Sequence, residues 1–152
     1  MAGVLKISEA ASLALHTMAL LASEKERPIR IHDMARTFGV SEAHLAKVLQ
    51  RLSHVGLVQG TRGPHGGFML SDGGERTTLL AIYEAIEGKL EESGCLLQAP
   101  ACGGRLCMMG NLIRDLNSRL RRELDRTRLC DISKTSQVFH RRYEYETQNS
   151  PN

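Results

Sequence analysis

Apolar residues along this chain recur mostly at helical spacing, with two short strand-like runs between the third and fourth helical stretches. Ser8 and Glu9 supply an N-cap and an acidic first turn for a helix to about Ser23, with Ala11, Leu15, Met18 and Ala22 on its apolar face. Ser8, Ser12 and His16 form a polar stripe on another face, which reads first as a solvated or hydrogen-bonded surface. Glu24 to Arg30 contains Pro28 and reads as a turn followed by an extended piece. Ile31, Met34, Ala35 and Phe38 then predict a short helix that ends at Gly39 and Val40. Ser41 caps a third helix, whose inward positions are Leu45, Val48, Leu49 and Leu52.

Two short helices joined by a Gly-containing turn make a helix-turn-helix, in which the second helix can enter a major groove. The outward positions of that helix are Ala43, His44, Lys47, Gln50, Arg51 and His54, with no acid after Glu42. Donors on an exposed face suit phosphate and purine contacts, although a solvated helix would look similar if it stood alone. It is followed by strand-like runs at Leu57–Thr61 and Phe68–Leu70 that flank Arg62-Gly63-Pro64-His65-Gly66-Gly67. A hairpin in that place is a wing or else a surface loop, and a wing sets Arg62 and His65 where its tip could reach a minor groove. The Gly-rich run has neither the spacing nor the strand-to-helix context of a phosphate-binding loop.

Leu79, Ile82, Tyr83 and Ile86 mark a fourth helix that stops at Gly88. After a Cys-rich stretch, Met109, Leu112, Ile113, Leu116, Leu120 and Leu124 form a narrow seam on a long helix to about Arg128, with Asp115–Arg119 and Arg121–Asp125 as opposite charges four residues apart. The seam pairs with its copy in a homodimer or packs back on its own domain, and the dimer matches the two-fold symmetry that paired DNA half-sites require. The expected architecture is therefore mostly α with a small β-hairpin wing, a winged helix-turn-helix plus a long C-terminal dimerisation helix. Residues 1–76 form the DNA-binding part, 77–128 the helix, Cys-rich loop and dimerisation helix, and 129–152 a mostly flexible tail.

Composition narrows the picture only slightly. At 152 residues, 41% hydrophobic and 24% charged, with a net charge of +3, the chain has room for one modest core and is only mildly basic. Apolar runs are too short to span a bilayer and no leader precedes Ser8, so a cytoplasmic protein without a membrane partner is expected.

The Cys usage changes the picture more. Cys95, Cys102 and Cys107 fall within thirteen residues, with six and then four residues between them and Pro100, Gly103 and Gly104 among those. In an unexported chain this favours metal or redox chemistry over a disulfide framework. Thiolates suit iron–sulfur clusters and zinc, and three of them leave one ligand position to fill. Free thiols that sense oxidants are the other option. A thiol oxidoreductase or cluster carrier is disfavoured, because no two Cys have dithiol active-site spacing and no Ser/His/Asp set or acid pair is organised. No catalytic residue or small-molecule substrate is expected.

The segments Val40-Ser41, Leu45, Lys47, Leu52, Gly56-Leu57-Val58, Arg62-Gly63-Pro64 with Gly66-Gly67, and three Cys before a long helix resemble the bacterial Rrf-two family of winged-helix regulators over roughly residues 5–130. The wing and the Cys loop are the specific parts of the match. The resemblance implies a homodimeric transcription factor that binds double-stranded DNA, with an iron–sulfur cluster, 2Fe-2S or 4Fe-4S, on Cys95, Cys102 and Cys107, and Arg62 probing a minor groove. The cluster would sense redox state, nitric oxide or cluster supply. Base readout would fall to Ser41, Ala43, His44, Lys47 and Arg51, with Arg62 and His65 in the wing.

Departures from the family pattern are informative. The family has five residues in each gap between its three Cys, whereas here the gaps hold six and four. Gly110 stands where the iron–sulfur-biogenesis members have a His ligand, and Ala46 where they have a base-discriminating Glu. Other members recruit a carboxylate or His from the first helix of the partner subunit, which here implies His16 as the fourth ligand, with Glu9 behind it. Zinc in the same site is the alternative. Cys130 is chemically suitable, but a helix of some twenty residues would place it about 30 Å from Cys107.

Overall fold

The computed structural model describes residues 7–24, 26–90 and 109–133. Its first helix, α1 (Glu9–Ser23), begins where the Ser8 hydroxyl accepts from the Ala11 N–H at 3.1 Å. The periodicity predicted one apolar face. Instead Leu13, Ala14, Thr17, Ala19, Leu20 and Leu21 are buried as well, because α1 is the central helix and packs against four other elements. Within the helix the Glu9 and His16 positions stay exposed, so the apolar pattern runs around most of α1 rather than along one stripe.

Helix α2 (Ile31–Phe38) closes at Gly39, whose φ of 67° lets its N–H turn back to the carbonyls of Ala35 and Arg36. Helix α3 (Glu42–His54) starts with the Ser41 hydroxyl accepting from the His44 N–H at 3.2 Å, and it buries Leu45, Val48, Leu49 and Leu52 as its spacing predicts. The wing is an antiparallel pair, β1 (Val58–Thr61) and β2 (Gly67–Leu70), in register from Val58 opposite Leu70 to Thr61 opposite Gly67. Ile29 adds a third, single-residue rung by exchanging both backbone hydrogen bonds with Phe68, at 2.9 and 2.8 Å. The extended piece after Pro28 thus becomes an edge of the wing.

A 3-10 turn at Gly74–Arg76 leads to α4 (Leu79–Glu87), capped by Thr78 and ended at Gly88. Its Ile82, Tyr83 and Ile86 join one hydrophobic cluster with residues of α1, α2 and α3, so the packing does not break at residue 76. Burial, and then the nearby Glu87 carboxylate, hold the Tyr83 phenol above its ordinary pKa of 10.0.

Helix α5 (Gly110–Arg126) ends two residues earlier than its seam predicts. At Thr127–Arg128 the chain runs antiparallel to Thr77–Leu79: Leu79 N–H donates to the Thr127 carbonyl at 3.0 Å and Leu129 N–H to that of Thr77 at 2.9 Å. The stretch from Leu129, expected to be flexible, begins as a further helix, α6 (Leu129–Ser133), with Leu129 fully buried in the core cluster. No helix among the described residues is long and apolar enough to cross a membrane.

Candidate nucleic-acid interface and ligand residues

Positions 43, 47, 50 and 54 fall on one stripe of α3, with Arg51 beside them. Ala43, Lys47, Gln50, Arg51 and His54 are all exposed, and the apolar side of the helix anchors them to the core. Three other side chains at this end of the motif are already engaged. Ser41 caps the helix, His44 Nδ1 lies 3.9 Å from a Glu9 carboxylate oxygen, and Glu42 in the first turn takes a 2.8 Å contact from His32 Nδ1. The Glu42–His32 pair spans α2 and α3, setting a partner beside the one acid that would otherwise face an approaching phosphate unaccompanied.

Arg51 does two things at once. It belongs to the outward face of α3, yet its Nη1 donates to the Ile86 carbonyl at 2.9 Å and so ties the recognition helix to the end of α4. Periodicity places a residue on a face but gives no sign of a partner 35 positions later.

In the wing, Arg62, Gly63, Pro64 and His65 are exposed. Gly63 takes a φ of 111°, and Gly66 N–H returns to its carbonyl at 2.9 Å. At Gly67 a Cβ would come within 2.5 Å of the Ile29 carbonyl oxygen. Thr61 closes the base through its hydroxyl, which accepts from Gly67 N–H at 3.1 Å. The sequence reading missed Arg30, which precedes α2 and donates from Nη2 to the Pro64 carbonyl at 2.7 Å. An exposed Arg before a helix carries no periodic signal that could have pointed to it.

Of the candidate metal ligands, Cys95, Cys102 and Cys107 lie outside the described residues, and His16 lies within them. Among the described residues no three His, Cys, Asp or Glu side chains gather as a metal site. His16 is exposed on α1, beside a shallow cleft of about 290 Å³ shared with Glu9, Ser12 and Phe38. Its Nδ1 is 2.7 Å from the Ser12 carbonyl oxygen. A carbonyl can only accept, so Nδ1 is the protonated nitrogen and the lone pair of the neutral ring is on Nε2. A metal can bind an imidazole through either nitrogen, and with Nδ1 facing a carbonyl the one left here is Nε2; such a nitrogen with three thiolates would be a donor set of the kind that suits an iron–sulfur cluster or zinc. Gly110 is buried at the start of α5 and offers no side-chain ligand.

The residues that precede the Cys-bearing segment are clamped. Glu84 Oε1 accepts from the Leu90 N–H and from Arg121 Nη1, each at 3.0 Å, and Arg121 also donates to the Leu90 carbonyl at 3.2 Å. Arg121 was expected to pair with Asp125 along its own helix; instead it crosses to α4, where both the carboxylate and a backbone carbonyl are in reach. The α5 seam divides between two sides of the helix. Ile113 and Asn117, 4% and 2% exposed, face their own chain, whereas Met109, Leu112 and Leu116 remain 47%, 54% and 41% exposed.

The family described as Rrf2, iron-dependent transcriptional regulator, matches residues 7–135. The chain belongs to the Rrf2 family. Among the relatives of this Rrf2 protein, the HTH-type transcriptional repressor NsrR of Streptomyces coelicolor is 28% identical over 130 residues, covering 84% of this chain and 88% of that protein. The HTH-type transcriptional regulator IscR of Vibrio campbellii is 26% identical over 115 residues, 76% of this chain and 68% of its own. CymR, the global cysteine regulator of B. subtilis, superposes with a TM-score of 0.73 at 26% identity, over 86% of this chain and 98% of CymR. IscR of T. potens shares the fold with a TM-score of 0.71 at 22% identity, over 97% and 94% of the two chains. The Rrf2 chain is accordingly a DNA-binding transcriptional regulator of winged-helix architecture, not an enzyme.

Proposed function

We propose that this regulator works as a homodimer whose affinity for double-stranded DNA is set by an iron–sulfur cluster on Cys95, Cys102 and Cys107, with His16 as the fourth ligand. The observation that carries the cluster reading is the set of three closely spaced thiolates in the sequence, with the exposed His16, whose Nδ1 faces the Ser12 carbonyl oxygen at 2.7 Å, as a further donor. The cluster supplies chemistry sensitive to oxidants, nitric oxide or cluster supply. The protein contributes the rest. Lys47 and His44 of α3, together with Ala43 and Ser41, meet base edges and phosphates in the major groove, while Arg62 and His65 of the wing meet the adjacent minor groove.

The exposed apolar stripe of Met109, Leu112 and Leu116 supports pairing of two copies through α5. Coupling from the Cys-bearing segment to DNA would run through Leu90, held by Glu84 and Arg121, and then through Ile86 to Arg51 on α3. A change that moves the chain at Leu90 would thereby bias the setting of the recognition helix.

A second reading keeps the same DNA interface but has zinc or free, oxidisable thiols at the Cys residues. Gly110, which removes one family ligand, favours it. Fluorescence anisotropy on a duplex enriched from a random-sequence library, read beside the iron and acid-labile sulfide that each treatment releases, separates the readings. The sensor predicts affinities that differ at least tenfold between protein isolated without oxygen and the same protein after treatment with nitric oxide or chelator. Equal affinities would contradict it.

A further inference from the structure

The wing has two glycines at its tip, and each frees the chain in a different way. Gly63 sits at a φ of 111°, and Gly66 has no room for a side chain because a Cβ there would lie 2.4 Å from the Thr61 carbonyl oxygen. The base of the hairpin is held by Thr61 and by the Ile29 rung, but neither reaches the exposed segment Arg62–His65. Apart from the Gly66–Gly63 turn, the contact recorded at that tip comes from outside the hairpin: Arg30 Nη2 to the Pro64 carbonyl, 2.7 Å. Arg30 is anchored one residue after Ile29, so its backbone is fixed to the wing by the same rung. The guanidinium lies in a groove of about 560 Å³ that Arg62 and His32 also line.

We propose that Arg30 is a positioning residue for the wing, which holds the Pro64 carbonyl so that Arg62 is presented to the minor groove in one orientation. This rests on the reading of the wing as a DNA contact and adds the residue on which that contact depends. A Gly-flanked tip left unheld would have to be ordered at the moment of binding, and the entropy of that ordering would be subtracted from affinity. With Arg30 in place the ordering is done in the free protein. The rigid planar fork of Arg suits a fixed bond to a carbonyl better than the flexible amine of Lys.

The test uses the full chain and a duplex enriched from a random-sequence library by the wild-type protein. Each adenine in turn is replaced by 2,6-diaminopurine, which adds an amino group in the minor groove and leaves the major-groove edge of the base pair unchanged. The wild type should lose affinity at the adenine read by the wing, and Arg62→Ala should remove that discrimination. Arg30→Ala should weaken binding roughly threefold to tenfold, blunt the same discrimination and leave the salt dependence unchanged. Combined with Arg62→Ala it should cost nothing further, since both act through one contact. A thermal midpoint equal to wild type verifies folding, and Arg30→Met, which keeps the aliphatic stem, should behave as Arg30→Ala does.

The proposal is overturned if Arg30→Ala retains full discrimination, lowers the slope of log affinity against log salt by about one, and adds to Arg62→Ala. Arg30 is then a phosphate contact. If Arg62→Ala changes discrimination nowhere, the wing reading fails and takes the proposal with it. The two failures differ in whether Arg62→Ala acts.

Discussion

Gly67 shows how a single residue decides whether the wing can dock. Its backbone runs so close to Ile29 that a methyl group at this position would meet a carbonyl oxygen at 2.5 Å, and the obstacle is main chain with no rotamer to yield. Gly67→Ala should therefore cost about 1–3 kcal/mol, measured as a lower urea midpoint, and it should weaken DNA binding because the rung to Ile29 is disturbed. Tyr83 gives a second residue-scale prediction. Its phenol is held above 10.0 by burial and then by Glu87, so the unfolded chain gives up that proton at lower pH than the folded one. Stability is intact below that value and falls as pH rises beyond it. Tyr83→Phe should flatten the fall as pH rises above 10.0, and an identical decline in both proteins would remove Tyr83 as its cause. The sequence located Gly66-Gly67 and Tyr83 as wing and core, because composition and spacing speak to those roles. It was silent on Arg30 and on the second duty of Arg51, since hydrogen bonds 34 and 35 positions long leave no local pattern.

Among the elements, α3 was fully legible: Leu45, Val48, Leu49 and Leu52 bury one face of a helix whose other face is solvent. Helix α1 was legible in its limits but not in its packing, because neighbours cover all of it but the side that carries Glu9 and His16. The least legible element was α6. Leu129-Cys130-Asp131-Ile132-Ser133 is too short to show a period that would mark a return to the core, and what brings it there is a backbone bridge to Thr78 together with one fully buried apolar side chain. Leu129→Ala should accordingly destabilise the chain by about 2–5 kcal/mol in a denaturant titration. A change below ~0.5 kcal/mol would mean that the stretch contributes no packing. The clamp at Leu90 is a further case of charge finding a partner on another element, where Arg121 takes Glu84 in preference to Asp125 of its own helix.

For the whole molecule, the uncovered stripe on α5 is the surface through which the proposed pairing of two copies on DNA half-sites would run. Leu112→Glu combined with Leu116→Glu places charge on the exposed side and leaves buried Ile113 and Asn117 in place, so the protomer should still fold. Sedimentation should find it monomeric, with DNA affinity reduced by the loss of the second half-site; a dimer of wild-type stability would move the interface elsewhere. Dimer, wing and recognition helix serve the central claim that the Cys-bearing segment sets DNA affinity through a bound cluster. The measurement that tests it most directly is iron, acid-labile sulfide and zinc per chain, with a visible absorption spectrum, on protein purified without oxygen. Iron and sulfide in matched amounts, lost on substitution of Cys95, Cys102 or Cys107 and destabilised by His16→Ala, are the predicted result. Zinc alone, or no metal, in protein that still binds DNA would contradict the cluster and leave a regulator with a structural or thiol-based site.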